Sequence, residues 1–329
     1  MTAEIGCSAP TMSELADQLI ATAARAPSVH NTQPWRFRVN ADSIDLYADQ
    51  HRKLRVDPVG REMLISCGAA LFGLRLAIRS AGYLPVLRLL PDRRQLRLLA
   101  TVELGAPRPA TPAERQLLEA LPHRHTHRGP FEPEPLPAGL MAALQHDALN
   151  EGAWLFPVDR AAHYHRLADL MRSVGRRQDA SPQARADIRQ WTRAPASSRR
   201  DGVPAHAFAA SASWSPGRLR QRDFDQGRGM GLLTDGGPGP ACTAVLLTLA
   251  DGRADWLRAG EALHRVLLHA ASQWVFASIY TQPLEAAVVR DMIRKELGLP
   301  GVAQLILQFG VARTAQATAR RPPSELVEQ

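Results

Sequence analysis

Apolar residues recur along much of the chain with the spacing of amphipathic helices. Between positions 12 and 24 they stand three and four residues apart, which predicts a helix on the N-terminal side. Thr11 and Glu14 stand at its start in the pattern of a capping box, which satisfies the first free N–H groups of a helix. The same spacing predicts further helices at 112–121, 136–147, 161–176, 182–193, 256–275 and 284–297.

Shorter apolar runs predict strands between these helices. They lie at 37–39, 44–48 and 303–311, with a hairpin built from 86–90 and 96–104. The segment 62–82 is apolar and rich in Gly and Ala, which is typical of a buried helix packed closely against its neighbours. Because helices and strands are mixed without regular βαβ alternation, the predicted fold class is α+β.

One long segment fits neither pattern. Residues 194–240 are rich in Gly, Pro, Ser and Arg and show little periodicity. An irregular stretch of this length inside a compact protein is usually a functional lid or a disordered insertion. The glycine-containing string GRGMG at 227–231 lies within it, so it is a poor match to a nucleotide-binding turn, which follows a strand and opens a helix.

Composition narrows the class of protein. The chain has 329 residues, 45% of them apolar, enough for two domains, and a net charge of +8 that favours anionic partners. Its arginines are dispersed without interleaved aromatic residues, so a nucleic-acid partner is not expected. Three widely separated cysteines, no secretory leader and no long uncharged apolar run indicate a cytoplasmic protein without a membrane partner.

A polar loop at 27–34 carries the most specific chemistry. Between two prolines it collects four side chains with hydrogen-bonding groups, Ser28, His30, Asn31 and Gln33. Amide side chains both donate and accept, which is what the edge of a flat heterocycle requires. The same composition also suits an ordinary surface turn, and composition alone leaves both interpretations open.

A basic segment, RHTHR, is the second candidate. Arg124, Thr126 and Arg128 alternate, so in extended backbone they share one face and could bind phosphate oxygens together. A solvated basic loop is the plainer alternative. The intervening histidines also alternate, but neighbouring arginines would repel a metal dication and no carboxylate is close in sequence, so no metal is expected.

The loop resembles a known signature. Residues 24–37, ARAPSVHNTQPWRF, are similar to the PSxxNxQPW motif of FMN-dependent nitroreductases, and the VHN form followed by TQPWRF resembles the Acg-like branch. The resemblance implies that Ser28, Asn31 and Gln33 contact the flavin ring, chiefly at its pyrimidine end. His30 stands at a variable position of the motif and receives no assigned role.

Two further stretches resemble the phosphate-binding elements of that family. RHTHR is similar to R-x-S-x-R/K, with Thr126 replacing Ser, which implies an FMN phosphate held by Arg124, Thr126 and Arg128. Arg321 with Pro323 is similar to K-x-R-x-P near the C-terminus. The Lys position of that element falls on Ala319, and neighbouring Arg320 is expected to compensate.

Two more site residues follow from the resemblance. Arg61, near the start of a predicted helix, either is solvated or places positive charge near flavin N1/O2, where it would favour reduced flavin. Gln282 ends the stretch 278–282, which corresponds to the backbone that passes flavin N5. Similar stretches at 57–71, 201–204, 256–270 and 281–285 extend the resemblance over nearly the whole chain.

The order of the motifs is reversed relative to ordinary nitroreductases, since the loop precedes the phosphate motif. We therefore expect two nitroreductase-like halves fused in one chain, 1–121 with the ring loop and 122–329 with the phosphate clamp, and a lid-like insertion at 194–240. The halves would share a single composite FMN site in a monomer or homodimer.

The resemblance implies an oxidoreductase. NAD(P)H would reduce the flavin, leave, and be replaced by a small-molecule acceptor such as a nitroaromatic or a quinone, in ping-pong order. No catalytic side chain is expected, because the flavin performs the redox chemistry. The alternative is a protein that sequesters FMN beneath a lid with little turnover, and the insertion at 194–240 separates the two hypotheses.

Overall fold

A computed structural model of the chain describes residues 10–208, 219, 221–231, 241–312 and 318–328. Within these residues the helices are α1 (Met12–Ala23), α2 (Arg61–Ser80), α3 (Pro112–Ala120), α4 (Leu140–Asn150), α5 (Ala161–Asp179), α6 (Pro182–Trp191), α7 (Arg253–Ser272) and α8 (Ala287–Glu296). The strands are β1 (Trp35–Val39), β2 (Ser43–Ala48), β3 (Tyr83–Leu89), β4 (Leu98–Pro107), β5 (Trp154–Pro157), β6 (Thr192–Arg193), β7 (Val203–Pro204), β8 (Cys242–Thr248), β9 (Val275–Tyr280) and β10 (Val302–Val311).

The strands form two separate antiparallel sheets of four strands each. The first has the order β1-β2-β4-β3 and the second the order β5-β8-β10-β9, while β6 and β7 form a short parallel pair. The α+β class predicted from the sequence is confirmed. One sheet lies within each predicted half, as expected for two fused nitroreductase-like units; the boundary near residue 121 stays a proposal.

Helices α2 and α7 cross between the two sheets at a pair of glycines. A Cβ added to Gly260 would lie 1.9 Å from the carbonyl oxygen of Ile65, and one added to Gly68 would lie 2.0 Å from that of Leu257. The two helix backbones therefore touch directly. One apolar core packs around α2 and the first sheet, and another packs around α7 and the second, so this crossing joins the two halves.

The polypeptide also returns to the first sheet after the second is complete. The backbone N–H of Phe37 in β1 donates to the carbonyl of Leu326 at 2.9 Å, and that of Glu328 donates to the carbonyl of Phe37 at 2.7 Å. Residues 318–328 are thereby fixed beside β1. This return brings the segment around Arg320 next to the polar loop that precedes β1.

Most predicted elements are confirmed, with differences at their ends. The predicted helix at 256–275 was wrong at its C-terminal end: α7 ends at Ser272, Trp274 adopts a φ of +56°, and β9 begins at Val275. The helix predicted from 136 begins at Leu140, after the left-handed Gly139. Strands β5 to β9 were not predicted. For β5, β8 and β9 the reason is that short apolar runs do not distinguish a buried strand from a helix segment.

The insertion at 194–240 is described in part. Asp225 accepts the backbone N–H groups of Gly229, Met230 and Gly231, so this part of the insertion has a defined conformation. Residues 209–218, 220 and 232–240, including Trp214, lie outside the described residues. In the described part of the chain only α2 has the length and apolarity of a membrane span, and 89% of its apolar window is buried inside the protein.

The glycine crossing gives a first prediction. Gly260→Ala should destabilise the protein by at least about 3 kcal/mol, because the added methyl group would overlap backbone atoms that cannot rotate away. In an ordinary helix the same change stabilises the protein by about 1 kcal/mol. The sign of the change in the free energy of unfolding therefore distinguishes backbone contact from an ordinary helix position. The measurement is urea unfolding, with Gly129→Ala as control, since a Cβ there would meet only His127 at 3.5 Å. Equal stability of both variants would contradict direct backbone contact.

Candidate functional site

A cleft of about 1260 Å³, counting its open mouth, lies where the loop before β1, the start of α2 and the end of β9 meet. Its walls include residues 27–30, Ile65, Ser66 and 278–283. Phe208 and residues 221–224 of the insertion cover another side. A concave, largely apolar space with a few polar groups in its walls is typical of a small-molecule or cofactor site.

The loop before β1 has an unusual backbone. His30, Asn31 and Gln33 adopt φ values of +47°, +53° and +49°, a left-handed conformation that non-glycine residues rarely take. Hydroxyl groups hold it in place: Ser28 Oγ accepts the N–H of Gln33 at 3.0 Å, and Ser66 Oγ accepts the N–H of Val29 at 3.1 Å. Such conformations persist only where the surroundings enforce them, and they cluster at functional sites.

The three predicted flavin-ring contacts differ in whether they face the cleft. Ser28 lines the cleft, whereas Asn31 and Gln33 do not. Asn31 donates to the carbonyl groups of Gly202 and Ala319 at 3.0 and 3.1 Å. Gln33 donates to the carbonyl of Arg200 at 2.8 Å and accepts the backbone N–H of Arg321 at 2.8 Å. These amides join the loop to the insertion and to the returning segment, and their contact with a flavin stays a prediction.

The basic residues converge beside the cleft. Thr126 and Arg128 line it, in a segment that pairs with β9 at Ala277. The pKa of Arg124 is lowered to about 10, mainly because the side chain is buried and also because of the positive charges of Arg128 and Arg25. The pKa of Arg320 is lowered to about 9, again mainly by burial, with the positive charge of Arg124 as the next cause.

This arginine cluster, defined as Arg124, Arg128 and Arg320, has hydrogen-bonding capacity to spare. Among the described residues, Nε and Nη1 of Arg124 and Nε of Arg320 have no partner. Burial also lowers the pKa of Arg128 to about 10. Buried like charges are unfavourable unless an anion compensates them, and a guanidinium suits the oxygens of a phosphate. The cluster therefore has the chemistry of an anion site.

Arg321 has a different environment from the cluster. Its Nε lies 3.2 Å from Glu325 Oε2, and its Nη2 donates to the carbonyl of Glu325 at 2.6 Å. Much of its guanidinium is therefore occupied within the returning segment. Its backbone N–H, bonded to Gln33, is what ties it to the loop. The phosphate contact of Arg321 stays a prediction.

Arg61 and Gln282 also differ in position. Arg61 begins α2 as expected, but its guanidinium is buried and donates to both the backbone and the side-chain oxygens of Gln304 at 2.9 Å. The adjacent Glu62, which the sequence did not single out, lines the cleft instead. Gln282 lines the cleft at the end of β9. Of these two predicted contacts, Gln282 is therefore the one that faces the ligand space.

Three acidic residues, Asp57, Glu62 and Glu285, interact electrostatically, and Glu62 among them lines the cleft. Arg222 of the insertion lies 2.5 Å from Glu285, whose pKa is raised to about 7 by burial, against the lowering effect of Arg222. The charge of Glu62 adds to this rise, and with burial it raises the pKa of Asp57 to about 6. Sequence spacing gave no signal for this group, because its members come from three distant segments.

The three alternating histidines each have a separate partner. His123 and His127 face the carbonyl groups of Ala271 and Pro130, and His125 faces that of His123. In the described ranges no group of three ligating side chains is placed to hold a metal ion. The rings of His127 and Phe131 stack, with centroids 4.7 Å apart, so part of their role is packing.

An apolar cleft with a hydrogen-bonding loop on one wall and guanidinium groups nearby has the chemistry of a site for a flat ligand that carries a phosphate. Comparison of the sequence with known proteins identifies the family. The chain is 33% identical, over 94% of its length and 90% of the relative's, to the Mycobacterium tuberculosis protein "Putative NAD(P)H nitroreductase Rv3131". It is 29% identical over 92% of both chains to "Putative NAD(P)H nitroreductase acg" of the same organism. The chain belongs to this NAD(P)H nitroreductase family.

Solved structures give weaker likenesses. A nitroreductase with bound FMN from Desulfitobacterium hafniense aligns with a TM-score of 0.41 at 15% identity, over 65% of this chain and 97% of that one. Another with bound FMN, from Bacteroides fragilis, aligns with a TM-score of 0.36 at 12% identity, over 62% of this chain and 92% of that one. No protein-family model matches the chain.

The arginine cluster gives a second prediction. Inorganic phosphate should raise the melting temperature of the protein without added cofactor, because an anion relieves the repulsion among these buried charges. Arg124→Gln should remove most of that rise. Arg166→Gln is the matched control, since this exposed arginine pairs with Glu296 at the surface. A phosphate effect that is equal in both variants would place anion binding elsewhere.

Proposed function

We propose that this protein binds one FMN per chain in the cleft and acts as a flavin-dependent oxidoreductase. NAD(P)H would reduce the flavin, and a small-molecule acceptor, nitroaromatic or quinone, would reoxidise it in ping-pong order. The observation that carries the proposal is the arginine cluster, in which Arg124 is buried and has guanidinium nitrogens without a partner among the described residues, beside a cleft lined by residues 27–30 of the loop. The names of the relatives support the same reaction class.

The residues present fit FMN. A terminal phosphate would meet Arg124, Thr126, Arg128 and Arg320, and the ring would lie among the apolar and polar groups of the cleft wall. When bound, the flavin supplies hydride and electron transfer. Ser28 and Gln282, which line the cleft, would hydrogen-bond its ring, and Asn31 and Gln33 would hold the loop in its conformation through their bonds to Gly202 and Arg200.

The chain's own contribution is position, charge and exclusion of water. Arg128 and Arg222 both line the cleft, and positive charge there favours the gain of electrons by a bound ligand. Apolar groups such as Phe208, Phe224 and Leu305 restrict water. Because one cleft serves both partners, the nicotinamide has to leave before an acceptor enters, which accounts for the ping-pong order.

A specific observation favours a second candidate, FMN sequestration with little turnover. Residues 221–224 of the insertion line the cleft and are tied to its floor, since Arg222 lies 2.5 Å from Glu285 and Gln221 donates to Ser278 Oγ at 3.3 Å. Phe208 and Phe224 pack with ring centroids 5.9 Å apart. A segment held in this way would limit access of nicotinamide to the flavin.

Cofactor binding gives a third prediction. Protein incubated with FMN should retain one FMN per chain, and FAD should bind more weakly because its phosphates are not terminal. Arg128→Ala should weaken FMN binding by about 1.5–3 kcal/mol, the usual worth of a charged hydrogen bond. Fluorescence titration measures both affinities, with Arg166→Gln as control. Two FMN per chain, or an unchanged affinity in Arg128→Ala, would contradict the composite site.

A fourth prediction separates turnover from sequestration. Replacing both members of the ion pair, Arg222→Gln with Glu285→Gln, should loosen the insertion without leaving a buried charge unpaired. If the insertion limits access, anaerobic bleaching of bound FMN by NADPH or NADH should become at least several times faster than in the wild type. Fast bleaching and rapid nitroaromatic reduction by the wild type, unchanged in the double variant, would exclude the sequestration hypothesis.

A further inference from the structure

His30 is a buried imidazole in the wall of the cleft. It is 6% exposed, and its ring meets Phe224 of the insertion edge-on, with centroids 5.2 Å apart and an interplanar angle of 78°. Neither ring nitrogen has a hydrogen-bond partner among the described residues. Leaving a buried donor and a buried acceptor unsatisfied is costly, so a polar partner is expected at this point.

The backbone fixes this unsatisfied ring in place. His30 adopts a φ of +47°, and both of its neighbours are anchored. The N–H of Val29 donates to Ser66 Oγ at 3.1 Å, and the carbonyl of Asn31 accepts the N–H of Gly202 at 3.1 Å. The position of the ring in the cleft wall is therefore set by the anchored backbone on both sides of His30. A strained conformation enforced from both sides is a frequent feature of ligand-contacting residues.

The surrounding charges decide which form of the ring faces the cleft. The pKa of His30 lies well below its usual value, mainly because the ring is buried and also because of the positive charges of Arg222 and Arg128. The imidazole is therefore neutral at physiological pH and offers one N–H donor and one lone pair. A phosphate would select a protonated ring or an arginine. A conjugated amide or imide, with C=O and N–H groups, suits the neutral ring.

We propose that His30 binds the ligand in the cleft directly, by hydrogen bonding to a conjugated amide or imide group. The inference rests on the proposed function, which supplies two sources of such a group: the pyrimidine edge of the flavin and the carboxamide of the nicotinamide. It gives a direct role to a residue that the motif resemblance left without one.

Two substitutions test the polar role separately from the shape of the ring. His30→Phe keeps an aromatic side chain against Phe224 and removes both nitrogens. His30→Asn keeps a donor and an acceptor, and asparagine tolerates a positive φ. His123→Phe is the control, because His123 stacks on Trp274 outside the cleft, with centroids 5.2 Å apart. Each protein is titrated with FMN, and the FMN-loaded form with tetrahydro-NADH, which cannot donate hydride.

If the flavin is the partner, His30→Phe should bind FMN about 5- to 10-fold more weakly than the wild type, the loss expected for one neutral hydrogen bond. His30→Asn and the control should remain within about threefold. If the nicotinamide is the partner, FMN affinity should be unchanged and tetrahydro-NADH should bind about 5- to 10-fold more weakly. Melting temperatures without ligand identify any loss that is merely structural.

The inference is overturned if His30→Phe binds both FMN and tetrahydro-NADH as tightly as the wild type. Should His30→Phe fail to fold, the imidazole nitrogen resonances of the wild type, followed by NMR, provide the test: they should shift on ligand addition, and unchanged resonances would overturn the inference. Failure of the wild type to bind FMN would instead refute the proposed function. The two failures are therefore distinguishable.

Discussion

The direct contact between the backbones of α2 and α7 at Gly68 and Gly260 is the constraint on which the rest of the structure depends. It sets the separation of the two halves, and the cleft lies along the same pair of helices. Glu62, Ile65 and Ser66 of α2 and Leu263 of α7 all contribute to its walls. A methyl group at the crossing would therefore alter the distance across the ligand space as well as the packing of both cores.

Features that are unfavourable in isolation collect around that cleft. The members of the arginine cluster repel one another, and Arg124 among them is buried. The loop before β1 holds His30, Asn31 and Gln33 in a left-handed conformation. Hydrogen bonds to segments that are distant in sequence stabilise the loop: Asn31 and Gln33 bind to the insertion and to the returning segment. A bound phosphate and ring would satisfy groups that the chain alone leaves unsatisfied, which is how stability is given up for binding.

The sequence supported the α+β class, most helices and the general position of the site, because these depend on local spacing and on compact motifs. It could not predict that Arg61 turns to Gln304 while Glu62 lines the cleft, since both occupy the first turn of one helix. Nor could it predict the partners of Asn31, which lie 171 and 288 positions away along the chain. Strand β8 was missed because a continuous apolar run has no period that distinguishes strand from helix.

The return of residues 318–328 to β1 has a consequence for the order of events on the ribosome. Both sheets and the α2–α7 crossing are encoded before this segment, whereas Arg320 and the backbone N–H that binds Gln33 lie within it. During synthesis the two halves can pack while the anion site still lacks one of its arginines. Completion of the anion site is therefore expected to be a late, post-translational event, and nascent chains stalled before residue 318 should fold around an incomplete site.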